Sequence, residues 1–282
     1  MKSSAMDDTS YKIVMTGDGS YTLYMPEYDE HMHSLSGAYE EALLKHVHPS
    51  GILKQNKKRL LVLDVGFGLG YNILALIEEL SKNGYGGELS VISLEKERTL
   101  LPVLESITFK DSREGAYSFI KQAYRNGTSR REGTTISLLF GDARNTVRPL
   151  PDESCDAVFF DPFSPSRNPE LWSVDFFRQI YRVMNGTSVL TTYSSAPQVR
   201  GALLESGFTV GRGPSVGGKR EGTLAAKTGI IPPLAAGDIA ALRENARAVP
   251  YRDGDLSGNK SSILERRRNE VRLKRSVQKK GR

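Results

Sequence analysis

The chain has little cysteine, tryptophan or histidine: its 282 residues include one Cys, one Trp and four His. A lone Cys155 excludes an internal disulfide and suits a reducing compartment, so a cytoplasmic location is expected. His31 and His33 form one H-x-H pair and His46 and His48 another, but no cysteine cluster stands beside them, and no metal site is expected. No apolar run approaches the ~20 residues that span a bilayer, so no membrane partner is expected. Residues 1–10 are polar and hold two Asp, unlike a secretory signal.

Charge is unevenly placed. Residues 241–282 hold 13 Lys/Arg against 5 Asp/Glu, a net +8, while the remainder is near neutral at −2. A basic extension on a neutral body points to a polyanionic partner, with a merely solvated tail as the alternative.

From residue 59 onward, strand-like and helix-like segments alternate. Strands are expected over 60–65, 89–94, 136–140, 157–160 and 188–193, with helices over 72–80, 96–107, 175–184 and 197–206. An antiparallel pair over 208–210 and 223–226 closes the series. The pattern predicts an α/β fold: a doubly wound, mostly parallel sheet of seven strands, Rossmann-like, covered by helices on both faces. Residues 1–58 read as an N-terminal cap. It consists of a hairpin over 11–25, turned at Asp18-Gly19-Ser20, and a helix over 36–47 with Leu43, Leu44 and Val47 inward. The sheet domain is expected over 59–228. Residues 229–282 form a basic tail, either one helix over 263–277 or disordered.

The decisive segment is Leu60-Leu61-Val62-Leu63-Asp64-Val65-Gly66-Phe67-Gly68-Leu69-Gly70. A buried strand ends near an acid, and alternating glycines lead into a helix. Chains that bind S-adenosylmethionine on such a sheet commonly read D/E-x-G-x-G-x-G, because the loop turns sharply and lets the cofactor approach its backbone. The spacing argues against a nicotinamide or flavin fingerprint, G-x-G-x-x-G, since Tyr71 stands where its third glycine would be. Glu95 ends the next strand, where a carboxylate can accept from ribose hydroxyls. Asp142 follows the third strand, where it can accept from an adenine amino group or cap the next helix.

The fourth strand ends at Asp161 and runs into Pro162-Phe163-Ser164-Pro165-Ser166-Arg167-Asn168-Pro169-Glu170-Leu171-Trp172. Pro162 stiffens a backbone that offers carbonyls rather than donors. Acceptors at this place suit an amine nucleophile aimed at a methyl sulfonium, with Asp161 holding the amine or taking its proton. Phe163 and Trp172 suit stacking on an extruded base, with core packing the alternative for Trp172. Tyr193, at the end of the next strand, is a further candidate for the same pocket. Lys219 and Arg220 suit contact with phosphate, or form a charged hairpin.

This segment resembles the methyltransferase domain of the MnmC family of tRNA wobble-uridine modification enzymes, whose loop reads close to D-x-F-x-P-x-x-N-P-x-x-W. The matching positions are Asp161, Phe163, Pro165, Asn168, Pro169 and Trp172. Gly66-Phe67-Gly68-Leu69-Gly70-Tyr71-Asn72 is similar to the family's F-G-x-G-x-N, displaced by one residue. Gly207-Phe208 with Lys219-Arg220-Glu221 is similar to its late elements, and Thr22 to Glu27 with His33-Ser34 to its N-terminal segment. The resemblance implies S-adenosylmethionine as cofactor, with Asp64, Gly66, Phe67, Gly68, Gly70, Asn72, Glu95, Asp142 and Ala143 around it. Pro162, Phe163, Asn168, Trp172, Tyr193, Lys219 and Arg220 would then face the substrate, and Asp161 would carry the chemistry. It further implies methylation of 5-aminomethyl-uridine, with or without 2-thiolation, in the tRNA anticodon loop. Bifunctional members add a flavin oxidase domain; the expectation here is the stand-alone form without it. The rivals are alkylation of a free small amine such as a polyamine, and a non-catalytic RNA-binding protein of the same fold.

Overall fold

The computed structural model describes residues 12–215 and 221–280. The chain opens with β1 (Lys12–Met15), β2 (Tyr21–Met25) and the two-residue β3 (Glu30–His31), an antiparallel sheet of its own. Helix α1 (Ala38–Ala42) follows and widens into a π-helical turn at Leu43–Val47. That turn departs from the expected regular helix. Leu43 and Leu44 are only half-buried, while Lys45 and His46 are buried. Lys45 tolerates burial because Glu41 lies 3.0 Å from its ammonium.

The central sheet is built from β4 (Arg59–Val65), β5 (Glu88–Glu95), β6 (Thr128–Arg131), β7 (Thr134–Phe140), β8 (Cys155–Phe160), β9 (Met184–Thr192), β10 (Thr209–Arg212) and β11 (Thr223–Ala226). Its order is β10-β11-β9-β8-β4-β5-β7-β6. Neighbours from β9 to β7 run parallel, and the two edges are antiparallel. The sheet has eight strands rather than the expected seven. The addition is β6, whose sequence Thr-Ser-Arg-Arg shows no apolar alternation; of its four side chains only Ser129 is buried.

Side chains alternate between two cores, one on each face of the sheet. Leu60 and Val62 on β4, with Ala157 and Phe159 on β8, face α2 (Tyr71–Lys82) and α4 (Arg113–Asn126). Leu63, Val65, Val158 and Phe160 face α6 (Val174–Val183) and α7 (Pro197–Glu205). Between β5 and α4 lies α3 (Leu101–Ser106), which starts five residues later than the expected 96–107 helix. The Glu97 carboxylate takes the backbone N–H groups of Arg98 and Thr99 at 2.8 and 2.9 Å, and this local bonding competes with helix until Pro102 helps start it.

The remaining helices are α5 (Ala143–Thr146), α8 (Ala236–Glu244) and α9 (Lys260–Lys280). Helix α9 takes up most of the basic tail. Its first turns are anchored by buried Ile263, and Arg267 lies over the Tyr251 ring at 5.0 Å and donates to the Val249 carbonyl.

Candidate active site

From β4 the chain passes to β5 on one side and, after β7, returns to β8 on the other. The order of the sheet therefore reverses between β4 and β8, which is where open α/β sheets bind ligands. A cavity of about 470 Å³ opens at these strand ends. Four adjacent strands supply its floor: Asp161 after β8, Gly66 and Gly68 after β4, Glu95 on β5, and Gly141, Asp142 and Ala143 after β7. Met25, Tyr28, Met32 and His33 come over it from the N-terminal segment.

The glycines are required sterically. Gly66 has φ +94°, and a Cβ there would stand 2.7 Å from the Asp161 carbonyl oxygen. Gly70 has φ +77° and stands at the N-cap of α2; a Cβ would press on Ile120 and Phe67. Gly68 donates its N–H to Glu95 Oε2 at 3.0 Å. The other Glu95 oxygen accepts from Glu97 N–H at 2.7 Å. Burial raises the Glu95 carboxyl above its usual range, and these backbone donors offset only part of that. With the Lys96 N–H also acting on it, the carboxylate keeps acceptor capacity for a hydroxyl donor.

Asp142 caps α5 by accepting from Arg144 N–H at 2.9 Å and is gripped by the Arg144 guanidinium. Burial opposes its charge, but Arg144 outweighs burial and holds Asp142 below its usual value. Arg144 also donates to Asp253 Oδ2 at 2.6 Å and to the Gly258 carbonyl at 2.8 Å. The segment leading into α9 is thereby tied to the cofactor end of the sheet, and Lys260 reaches the cavity wall.

Asp161 bridges cavity and core. Its Oδ2 accepts from Asn72 Nδ2 at 3.3 Å and faces His46 Nε2 at 3.6 Å. Burial opposes its charge, while the His46 and His33 rings in their protonated form and the Asn72 amide favour it more strongly, so its carboxyl sits below the usual range. Asn72 also donates to Asp64 Oδ1 at 3.3 Å, and Ser93 donates to Asp64 Oδ2 at 2.6 Å. Asp64, Phe67, Gly70 and Asn72 thus shape the loop from behind, and none of them lines the cavity.

The loop after Asp161 differs in two respects from the sequence expectation. The Pro162 and Phe163 carbonyls are already engaged, accepting from the Tyr193 hydroxyl at 3.0 Å and from Trp172 Nε1 at 2.8 Å. The Asp161 carboxylate is an acceptor open to the cavity, and Tyr193 supports the loop from outside it. Trp172 is fully buried, edge-on to Phe160 at 5.1 Å, and has no face for a base. Its bulk belongs to the core, and the P-x-x-W spacing reflects packing. Phe163 does line the cavity, with one face covered by Tyr28 at a ring distance of 3.9 Å. Asn168 lines it too and donates to Glu170 at 3.1 Å. Lys219 and Arg220 lie outside the described residues.

Sequence reasoning missed Arg144, Lys260, Tyr28 and His46. Arg144 had a local signal, two residues after Asp142; the others depend on tertiary placement. Among the described residues no three His, Cys, Asp or Glu side chains are grouped to hold a metal, and no helix is long and apolar enough to cross a membrane.

A family model for S-adenosyl-L-methionine-dependent methyltransferases matches residues 110–228. The crystal structure of MnmC2 from Aquifex aeolicus superposes with a TM-score of 0.85 at 34% identity, covering 95% of this chain and 87% of that one. The chain belongs to the MnmC methyltransferase family. An uncharacterised protein of Methanocaldococcus jannaschii is 35% identical over 90% of this chain and 71% of its own length. The bifunctional tRNA 5-methylaminomethyl-2-thiouridine biosynthesis protein MnmC of Ralstonia nicotianae is 32% identical over 73% of this chain. The match spans 33% of that relative's length. Members of this family use S-adenosylmethionine, and the cavity fits it. The glycine loop leaves room at the strand switch, Glu95 can accept from sugar hydroxyls, and Asp142 stands where a purine amino group can be recognised. The carboxylates also suit a cationic sulfonium.

Proposed function

We propose that this protein transfers a methyl group to the aminomethyl nitrogen of 5-aminomethyl-uridine, 2-thiolated or not, at the wobble position of tRNA. The observation that carries the reading is the Asp161 carboxylate, which opens on the cavity beside the Gly66 loop with one oxygen uncommitted among the described residues. When bound, the cofactor supplies a methyl group already activated by its sulfonium. Gly66, Gly68, Glu95, Asp142 and Ala143 would hold it, with Asp64, Phe67, Gly70 and Asn72 fixing the loop. Asp161 would grip the amine and orient its lone pair, and Phe163 and Asn168 would border the uracil. The name of the Ralstonia relative, a tRNA 5-methylaminomethyl-2-thiouridine biosynthesis protein, agrees with this product. The reading covers the methyl-transfer step alone.

Helix α9 supplies a surface for the RNA. Arg268, Arg272, Arg275 and Lys279 are exposed and spaced by four, three and four residues, so they line one helical face. An adjoining face, with Arg267 and Lys274, is bonded to the body of the protein. Phosphate contacts of this kind give affinity without sequence preference.

The test incubates tRNA from a strain lacking this protein with methyl-labelled cofactor and analyses the nucleosides by mass spectrometry. Label in 5-methylaminomethyl-uridine is expected. Its absence, with cofactor binding intact, would redirect attention to small amines. Replacing the four basic residues of α9 by Gln should lower the slope of log affinity against log salt by about 3, at roughly 0.7 to 0.9 for each phosphate no longer neutralised. An unchanged slope removes α9 from the RNA interface.

A further inference from the structure

His46 belongs to neither the glycine loop nor the Asp161 loop, yet the π-helical turn directs it to the base of the site. Its ring is buried, beside Phe159 at 5.9 Å. Nδ1 lies 3.1 Å from Thr191 Oγ1. The Thr191 hydroxyl donates onward to the Val158 carbonyl at 3.4 Å, so its oxygen is left to accept from Nδ1–H. In the tautomer set by that bond Nδ1 carries the proton and Nε2 is bare; a hydroxyl turned toward Nδ1 would instead place the proton on Nε2. Nε2 is buried without a hydrogen-bond partner, 3.6 Å from Asp161 Oδ2. In that tautomer two acceptors face one another with no proton between them. Buried polar atoms are rarely left so, and the pair lacks one proton.

An aliphatic amine reaches the site mainly as an ammonium, which has no lone pair for attack. We infer that Asp161 and His46 act as a couple that takes this proton: the substrate ammonium gives it up at Asp161, and His46 Nε2 holds it between the two groups. The inference rests on the amine substrate proposed above. One N–H bond of the ammonium breaks and one N–H bond forms on the imidazole. The freed lone pair then forms the new C–N bond, the methyl–sulfur bond breaks with its electrons left on sulfur, and the product leaves as a secondary ammonium. The imidazolium is stabilised by ionised Asp161 and later returns its proton to water. The other titratable groups acting on the ring are His33, whose own protonation burial disfavours, and Asp64 behind Asn72. His46 meets the substrate only through Asp161, so it is a positioning residue whose role is to hold the proton.

The test compares kcat against pH for the wild type, His46→Asn and His46→Gln on tRNA carrying the aminomethyl group. Asn keeps a polar atom near the Nδ1 place and removes Nε2; Gln restores a donor toward Asp161 but cannot take a proton. Both are expected to lose about 100-fold near neutral pH, within the usual range for general-base catalysis. The loss should shrink as pH rises toward the pKa of the amine, where the free base arrives unaided. Cofactor affinity should stay within a few-fold of wild type. Rescue by Gln, or a deficit constant across pH, would assign His46 a purely structural role and overturn the inference. Should neither variant fold, nitrogen-15 NMR of wild-type His46 decides, since a proton found on Nε2 contradicts a vacant acceptor. A wild type that methylates no amine removes the proposed function and this inference together; full activity of His46→Asn removes the inference alone.

Discussion

Asp64 provides a quantitative test of the buried network beneath the glycine loop. It is fully buried, and burial lifts its carboxyl from 3.8 to about 7, against the bonds from Ser93 and Asn72 and with added repulsion from Asp161. A rise of roughly 3 units at about 1.4 kcal/mol each corresponds to about 4 kcal/mol. The sign follows from proton counting. Between the unfolded and folded values the native state binds more protons, so stability falls as pH rises. The contribution is fully present below about pH 4 and is lost by the time pH has risen through about 7. Asn at this position would accept from Asn72 and donate to the Ser93 hydroxyl, keeping the network without a charge to bury. Urea unfolding of the wild type and Asp64→Asn across this pH range isolates the effect, because other groups cancel in the difference. The variant should gain on the wild type by up to about 4 kcal/mol as the pH rises from acid to mildly alkaline. Parallel stability curves would refute the reasoning and show that the carboxylate is stabilised in place.

Three further outcomes follow from the geometry. Gly66→Ala combines a left-handed backbone, costing about 1–2 kcal/mol, with a Cβ pressed on the Asp161 carbonyl; calorimetry should show S-adenosylhomocysteine binding weakened about tenfold or more, and unchanged affinity would contradict the close packing. Asp253→Ala removes the buried one of two carboxylates that hold the Arg144 guanidinium and should cost about 1.5–3 kcal/mol in urea unfolding, whereas a loss below about 0.5 kcal/mol would show the tail segment to be a loose attachment. Cys155 is buried with its thiol pushed up to about 11, so a thiol reagent should label it only in denaturant; rapid labelling of the native protein would contradict its core position.

The sequence carried the strand-to-loop transitions plainly because they depend on local rules. Apolar runs ending at Asp64-Val65-Gly66, Glu95 and Asp161 mark parallel strands whose carboxyl ends must converge, and they do so in the cavity. What escaped depends on competition between local and distant contacts. Glu97 captured the backbone donors that a helix over 96–100 needed. Strand β6 has no apolar face to display a period. Trp172 read as either a stacking platform or a core residue, and its full burial decides for the core. His46 was invisible as a site residue, because its position depends on one extra residue per turn in a short helix, which no spacing pattern announces. The engagement of the Pro162 and Phe163 carbonyls needed partners nine and thirty-one residues away.

Asp161 is proposed to act on the attacking amine rather than merely to shape the pocket. Single-turnover methyl transfer to aminomethyl-tRNA by wild type and Asp161→Asn, with cofactor and tRNA affinities measured alongside, tests it most directly. A rate lowered about 100-fold or more is expected in the variant, with both affinities within a few-fold of wild type. A variant that methylates at the wild-type rate, or one whose whole defect is explained by lost cofactor binding, would contradict it.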